Sequence, residues 1–185
     1  KSSKPLSADS VPIGGFYINK EIAAYLIKRN LENGKKSEAD RYIAQYQRVL
    51  KGELELDVLK DECQVFIANF KKLDVLAENF KISLSSMVTN WSLEVDAYEK
   101  IIVSVPKDPF TSGEWVNSEF YAHQLREILI TKVWNKSLKG TVASVLARSK
   151  EVLNGEEISI TLISGGSSNL RWLQSLLLRD FKDEL

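Results

Sequence analysis

The sequence predicts a helix-rich α+β domain, and three observations carry that reading. Residues 53–84 place apolar side chains at steps of three and four, the period of an amphipathic helix. Residues 92–105 switch to alternating apolar and polar side chains, the period of a strand. Residues 158–163 (ISITLI) form an apolar run that ends at Gly165-Gly166 and leads into a further helical pattern. Helices, a hairpin, helices and a strand–glycine–helix unit together make an α-rich mixed domain.

Each element follows from local signals. Residues 1–12 are rich in Ser, Lys and Pro and read as an extended segment leading into the domain. After Ile13-Gly14-Gly15, Asn19 opens a helix with Ile22, Ala23, Leu26 and Ile27 on one face, and Asn33-Gly34 stops it. A second helix runs from Ser37 to Leu50, where Gly52 breaks it. The long helix over 53–84 is striped by Leu56, Leu59, Cys63, Phe66, Ile67, Phe70, Leu73, Leu76, Ala77, Phe80 and Leu84, and the stripe drifts near Lys71–Leu73, a site for a kink. No proline interrupts the chain between Pro12 and Pro106. Strands at 92–96 and 101–105 pair through the short turn Ala97–Lys100, and 106–113 is a loop. Ser118 caps a helix reaching Lys136; Gly140-Thr141 separate it from a helix over 141–153, which Asn154-Gly155 closes. The last helix spans Asn169–Phe181.

Composition excludes several function classes. The 25 basic and 25 acidic residues cancel, so the excess of cations expected of a nucleic-acid binder is missing. At 44% hydrophobic and 9% aromatic residues, the chain has enough apolar side chain for a packed core. No apolar run is long enough to cross a membrane, and the first residues carry no apolar signal core. A single cysteine, Cys63, forms no internal disulfide and fits a reducing, cytoplasmic setting. With one histidine (His123) and one cysteine, a zinc site is not expected, and Cys63 reads as core.

The glycine turn is the first feature with chemical content. A strand that ends in paired glycines and opens a helix lets backbone approach a ligand and aims unpaired N–H groups at it; the same pattern also serves as a plain tight connection. It lacks the Lys of a Walker loop and the third glycine of the dinucleotide fingerprint. The segment ITLISGGSSNLRWLQSLLLRDF resembles the adenosine motif of the 70-kilodalton heat-shock chaperones, within the actin-like ATPase superfamily. Other blocks resemble the same family in the same order. PIGGFYINKEIAAYL is similar to the Gly-Gly turn and helix that begin its second lobe, AENFKISLSSMVTNWSLEVDAYEKIIVSV to its nucleotide-facing helix and hairpin, and WVNSEFYAHQL to the approach to its next helix. The long helix followed by a hairpin fits the chaperone pattern better than a sugar-kinase or filament relative.

The resemblance implies that 13–185 form the second lobe of such an ATPase domain, with an outer subdomain over 19–135 and an inner part over 136–185. It also assigns roles. Glu78, Lys81, Ile82 and Ser85 fall at i, i+3, i+4 and i+7, on one helix face. In the family that face carries a Glu and a Lys on the ribose hydroxyls, an Arg stacked on adenine and a Ser near the base edge. A carboxylate and an ammonium one turn apart can accept from and donate to a vicinal diol, although such pairs are also common on solvated helix faces. Ile82 stands where the stacking Arg would be, and Asn169 where a second Arg would be, which implies a weaker or reshaped adenine site. Arg171 is expected on a different helix face. Gly165, Gly166 and Ser167 would lie beside adenosine, and Gly14 and Gly15 would face phosphate. The implied cofactor is ATP or ADP, with magnesium held mainly by the missing lobe. The implied partners are that lobe and a nucleotide-exchange factor or co-chaperone. The chain lacks the phosphate-loop carboxylates of phosphoryl transfer, so alone it is expected to be inactive. The alternative is an interaction module that keeps the fold and has lost the nucleotide.

Overall fold

A computed structural model describes residues 9–10, 14–153 and 169–184. The leading segment 1–12, apart from residues 9–10, and the predicted strand 158–163 with its Gly165-Gly166-Ser167 turn lie outside the described residues. The rest is a helix-rich α+β structure with one two-stranded antiparallel sheet among the described residues.

Helix α1 (Gly15–Lys28) buries Ile18, Ile22, Ala23, Leu26 and Ile27, the face the periodicity predicts. It starts four residues before the expected Asn19, which lies inside the helix and is buried. Asn33-Gly34 do not stop a helix. They open α2 (Asn33–Leu50), because the chain has already turned at residues 29–32, and residues that favour irregular backbone serve a helix start as well as a helix end. α2 ends in a Schellman motif. Gly52 N–H donates to the Val49 carbonyl at 3.0 Å and Glu53 N–H to the Arg48 carbonyl at 2.9 Å, with Gly52 at φ 70°. This turn, and the irregular 53–60 that follow it, delay α3 to Asp61–Met87, where Asp61 and Glu62 complement the positive end of the helix. Leu56 is exposed and takes no part in the stripe. The helix then runs unbroken through Lys71–Leu73, burying Cys63, Phe66, Ile67, Phe70, Leu73, Ala77 and Leu84.

α2 and α3 meet through edge-to-face aromatics, Tyr42 on Phe66 at 5.5 Å and Tyr46 on Phe70 at 5.7 Å between ring centres. Phe110, from the loop between the strands, closes this cluster 5.3 Å from Phe66. Asn69 fastens the same loop by donating to the carbonyls of Pro109 and Thr111 at 3.0 and 3.1 Å.

The sheet differs from the expected hairpin. β1 (Lys100–Pro106) includes the predicted strand, but its partner is β2 (Trp115–Tyr121), with Ile102 opposite Glu119 and Val103 opposite Ser118. The predicted strand 92–96 is a loop held by Arg126. Its guanidinium donates to the carbonyls of Ser92 and Val95 and to the Asp96 carboxylate, at 3.1, 2.5 and 2.6 Å. Those bonds occupy backbone carbonyls that a ladder would need. Ser118, the predicted helix cap, sits mid-strand among the β-formers Trp115, Val116, Phe120 and Tyr121.

Helix α4 (Ala122–Ile128) passes into a π-helical stretch, Leu129–Leu138, and then into α5 (Lys139–Leu153). Gly140 does not interrupt this run; an exposed helical glycine costs about 1 kcal/mol and need not break a helix that tertiary packing supports. α6 (Trp172–Phe181) is shorter than expected, with Asn169 ahead of it. It docks through Trp172, Leu176 and Phe181. Asp180 accepts from Trp134 Nε1 at 2.7 Å and pairs with Lys139 and Arg179 at 3.1 and 2.7 Å. No described helix is long and apolar enough to cross a membrane.

Candidate functional site

The second half of α3 carries the four predicted residues, and the structure divides them into two pairs. Glu78 and Lys81 turn towards α1. Glu78 Oε2 accepts from Lys81 Nζ and from Asn19 Nδ2, both at 2.8 Å, and Lys81 Nζ also donates to Asn19 Oδ1 at 3.1 Å. The three side chains close a ring of hydrogen bonds between α1 and α3. Lys81 is only 5% exposed and Asn19 3%, whereas the Glu78 side chain is 46% exposed. Donation from Lys81 and then Asn19 holds the Glu78 carboxyl below its ordinary range. Oε2 accepts both of these bonds, and Oε1 accepts none among the described residues.

Asn19 is the partner of Glu78 and Lys81 that the spacing along α3 does not point to. It shares the apolar face of α1 with Ile22, Ala23 and Leu26, and an amide on such a face requires a buried partner. That mismatch was the available signal. The same helix begins at the glycines: Gly14 is its N-cap in extended conformation, and its carbonyl accepts from Tyr17 N–H at 2.9 Å. Gly14-Gly15 and the Glu78–Lys81 pair are therefore joined through one helix.

Ile82 and Ser85 turn the other way, into an open cleft of about 590 Å³. Asn169 and Arg171, from the segment before α6, line its opposite side, and Thr89 and Trp91 line the stretch after α3. Ile82 is 55% exposed and gives the cleft an apolar wall. Ser85 Oγ donates to the Ile82 carbonyl at 3.0 Å, which leaves its lone pairs to accept. Trp91 is braced against the fully buried Trp172, 4.5 Å away between ring centres. Arg171 corrects the expectation of a different face, because it precedes the first turn of α6 and lines the cleft beside Asn169. Gly165, Gly166 and Ser167 lie outside the described residues, so their relation to this cleft is not part of the site's geometry.

The other singled-out residues have structural surroundings. Cys63 is buried, its Sγ donates to Gln45 Oε1 at 3.0 Å, and burial pushes the thiol up, away from a reactive thiolate. His123 lies 3.3 Å from the Ala97 carbonyl through Nδ1 and 5.3 Å from the Tyr121 ring. Among the described residues no three His, Cys, Asp or Glu side chains gather as a metal site. No family model, curated protein or solved structure matches the chain.

Proposed function

We propose that this chain is one lobe of a divergent heat-shock-type ATPase and forms the adenosine-side wall of its nucleotide cleft. One observation carries the reading: Ile82 and Ser85 of α3 and the remote Asn169 line the same open cleft, as the resemblance requires of adenosine-facing residues. The surroundings suit a nucleoside. Ile82 and Trp91 offer apolar area to a base, Ser85 and Asn169 offer polar atoms to its edge, and Arg171 adds a guanidinium where the family's two arginines are replaced. Glu78 lies outside the lining of this cleft, on the α1 side of α3, so it would reach a ribose hydroxyl only from the cleft's margin, with Lys81 fixing the orientation of its carboxylate from a buried position. Bound ATP or ADP would supply the phosphates and their magnesium, held mainly by the other lobe. Closure of the two lobes on the nucleotide would be the switch read by a chaperone's substrate-binding segment and by an exchange factor.

The buried state of Lys81 favours a second reading. Its ammonium is already engaged by Glu78 and Asn19, as in a purely structural brace, so an interaction module without nucleotide would keep the same ring. Calorimetry of ADP against the parent protein separates the two. Ile82→Arg, which restores a stacking cation, is expected to tighten binding by about 0.5–2 kcal/mol, and Glu78→Gln to weaken it. ADP heats that are absent, or unchanged in both variants, reject the cleft assignment and leave the module reading.

A further inference from the structure

The outer face of α1 carries a second recessed surface, separate from the α3–α6 cleft. Two adjoining hollows of about 250 and 450 Å³ share Glu21, Ala24, Lys28 and Lys132. Their floor is one face of α1 from Tyr17 through Ala24 to Lys28, which extends for roughly 16 Å over three turns. α2 forms one wall, and the α4–π stretch forms the other. We infer that this groove is a docking site for an acidic amphipathic segment of a partner protein.

Charge is the first argument. The whole chain is neutral, yet the groove gathers Lys20, Lys28, Arg29, Lys36, Lys132 and Lys136 against only Glu21, Asp40 and Glu127. Asp40 and Lys28 neutralise one another at 2.6 Å, which leaves five cations against two carboxylates. Arg29 spends its donors on the Ser118 hydroxyl and the Glu119 carbonyl, neither of which offsets its charge. Lys36 and Lys132 face the smaller hollow from opposite walls and make no ion pair among the described residues. A cationic trough between low-dielectric walls attracts carboxylates and speeds their encounter.

Shape and lining are the second argument. Ala24 at the centre of the floor allows a backbone to approach closely, and Tyr25, Ile43 and Ile128 supply apolar contacts between the cations. A groove three turns long that alternates apolar and cationic positions matches a helix bearing Glu or Asp beside Leu or Ile. The interspersed carboxylates Asp40 and Glu127 disfavour a uniform polyphosphate, and a recessed surface disfavours a flat membrane.

The test uses the full chain, labelled with nitrogen-15, titrated with a helical peptide of about 16 residues built from Glu and Leu. Amide shifts are expected along α1, α2 from Lys36 to Gln47 and residues 127–136, with binding that weakens as salt rises. Lys36→Glu combined with Lys132→Glu is expected to weaken binding by at least about tenfold, while Lys36→Arg with Lys132→Arg retains it. The Gln counterpart of the peptide should also bind at least about tenfold more weakly. Unchanged thermal melting of both double variants excludes misfolding as the cause. Shifts elsewhere, equal binding of the Gln peptide, no binding, or stronger binding to duplex DNA or to phosphatidylserine vesicles at these residues would overturn the inference.

Discussion

Replacing Lys81 by Met isolates the ring of hydrogen bonds between α1 and α3. Methionine keeps most of the apolar stem and removes only the ammonium, so the volume at this buried position changes little. Two groups then lose their donor. Asn19 Oδ1, on a residue 3% exposed, is left without its 3.1 Å partner, and an unsatisfied buried acceptor costs about 1–3 kcal/mol. Glu78 keeps its bond from Asn19 Nδ2 and is 46% exposed, so losing the ion pair adds no more than about 1 kcal/mol after solvent screening. The expected destabilisation is therefore about 1–4 kcal/mol, read as a lower urea midpoint at unchanged slope. Asn19→Ala and the double variant complete a cycle whose coupling should exceed about 0.5 kcal/mol. A Lys81→Met loss below about 0.5 kcal/mol, or additive single variants, would refute the claim that this ring fastens the two helices.

Three further outcomes are expected. The Asp180 carboxyl is held far below its ordinary value, mainly by Arg179 and also by Trp134 and Lys139, so its contribution is complete above about pH 4 and is lost as pH falls towards its folded pKa; the urea midpoint of the wild type should drop more steeply below pH 4 than that of Asp180→Asn. Gly52 at φ 70° ends α2, and Gly52→Ala should cost about 1–2 kcal/mol by thermal melting, with Gly52→Asn milder. Arg126→Met strips the 92–96 loop of three hydrogen bonds, which should cost about 3 kcal/mol and accelerate hydrogen exchange in that loop and in α4.

The helices were the most legible part of the sequence. A buried stripe such as Cys63, Phe66, Ile67, Phe70 and Leu73 repeats at 3.6 residues whatever it packs on, so α3 could be read from its apolar spacing alone. Its start could not, because Leu56 and Leu59 continue the spacing by coincidence while the Gly52 turn ends the preceding helix. Strand pairing was half legible. β1 is legible, yet the nearer alternating segment presents itself as its partner, since nothing local reveals that the distant Arg126 captures the carbonyls of Ser92 and Val95. At the site, periodicity placed Glu78, Lys81, Ile82 and Ser85 on one side of a helix. That side is broad enough for Lys81 to point inward to Asn19 while Ile82 lines the cleft. The reach of Arg171 was misread because the helix was expected to begin at Asn169, which changes the direction of every side chain in its first turn.

Phe110 has a consequence for anyone who would dissect this chain. It is only 6% exposed, although it comes from the tip of the β1–β2 connection, and it completes the aromatic cluster of Tyr42 and Phe66. Excising the first three helices as a minimal unit would strip the lid from their own interior, leaving two bare rings and the unanswered amide of Asn69. Such a piece would tend to self-associate through that wound, whereas a cut placed after Tyr121 would carry its plug along.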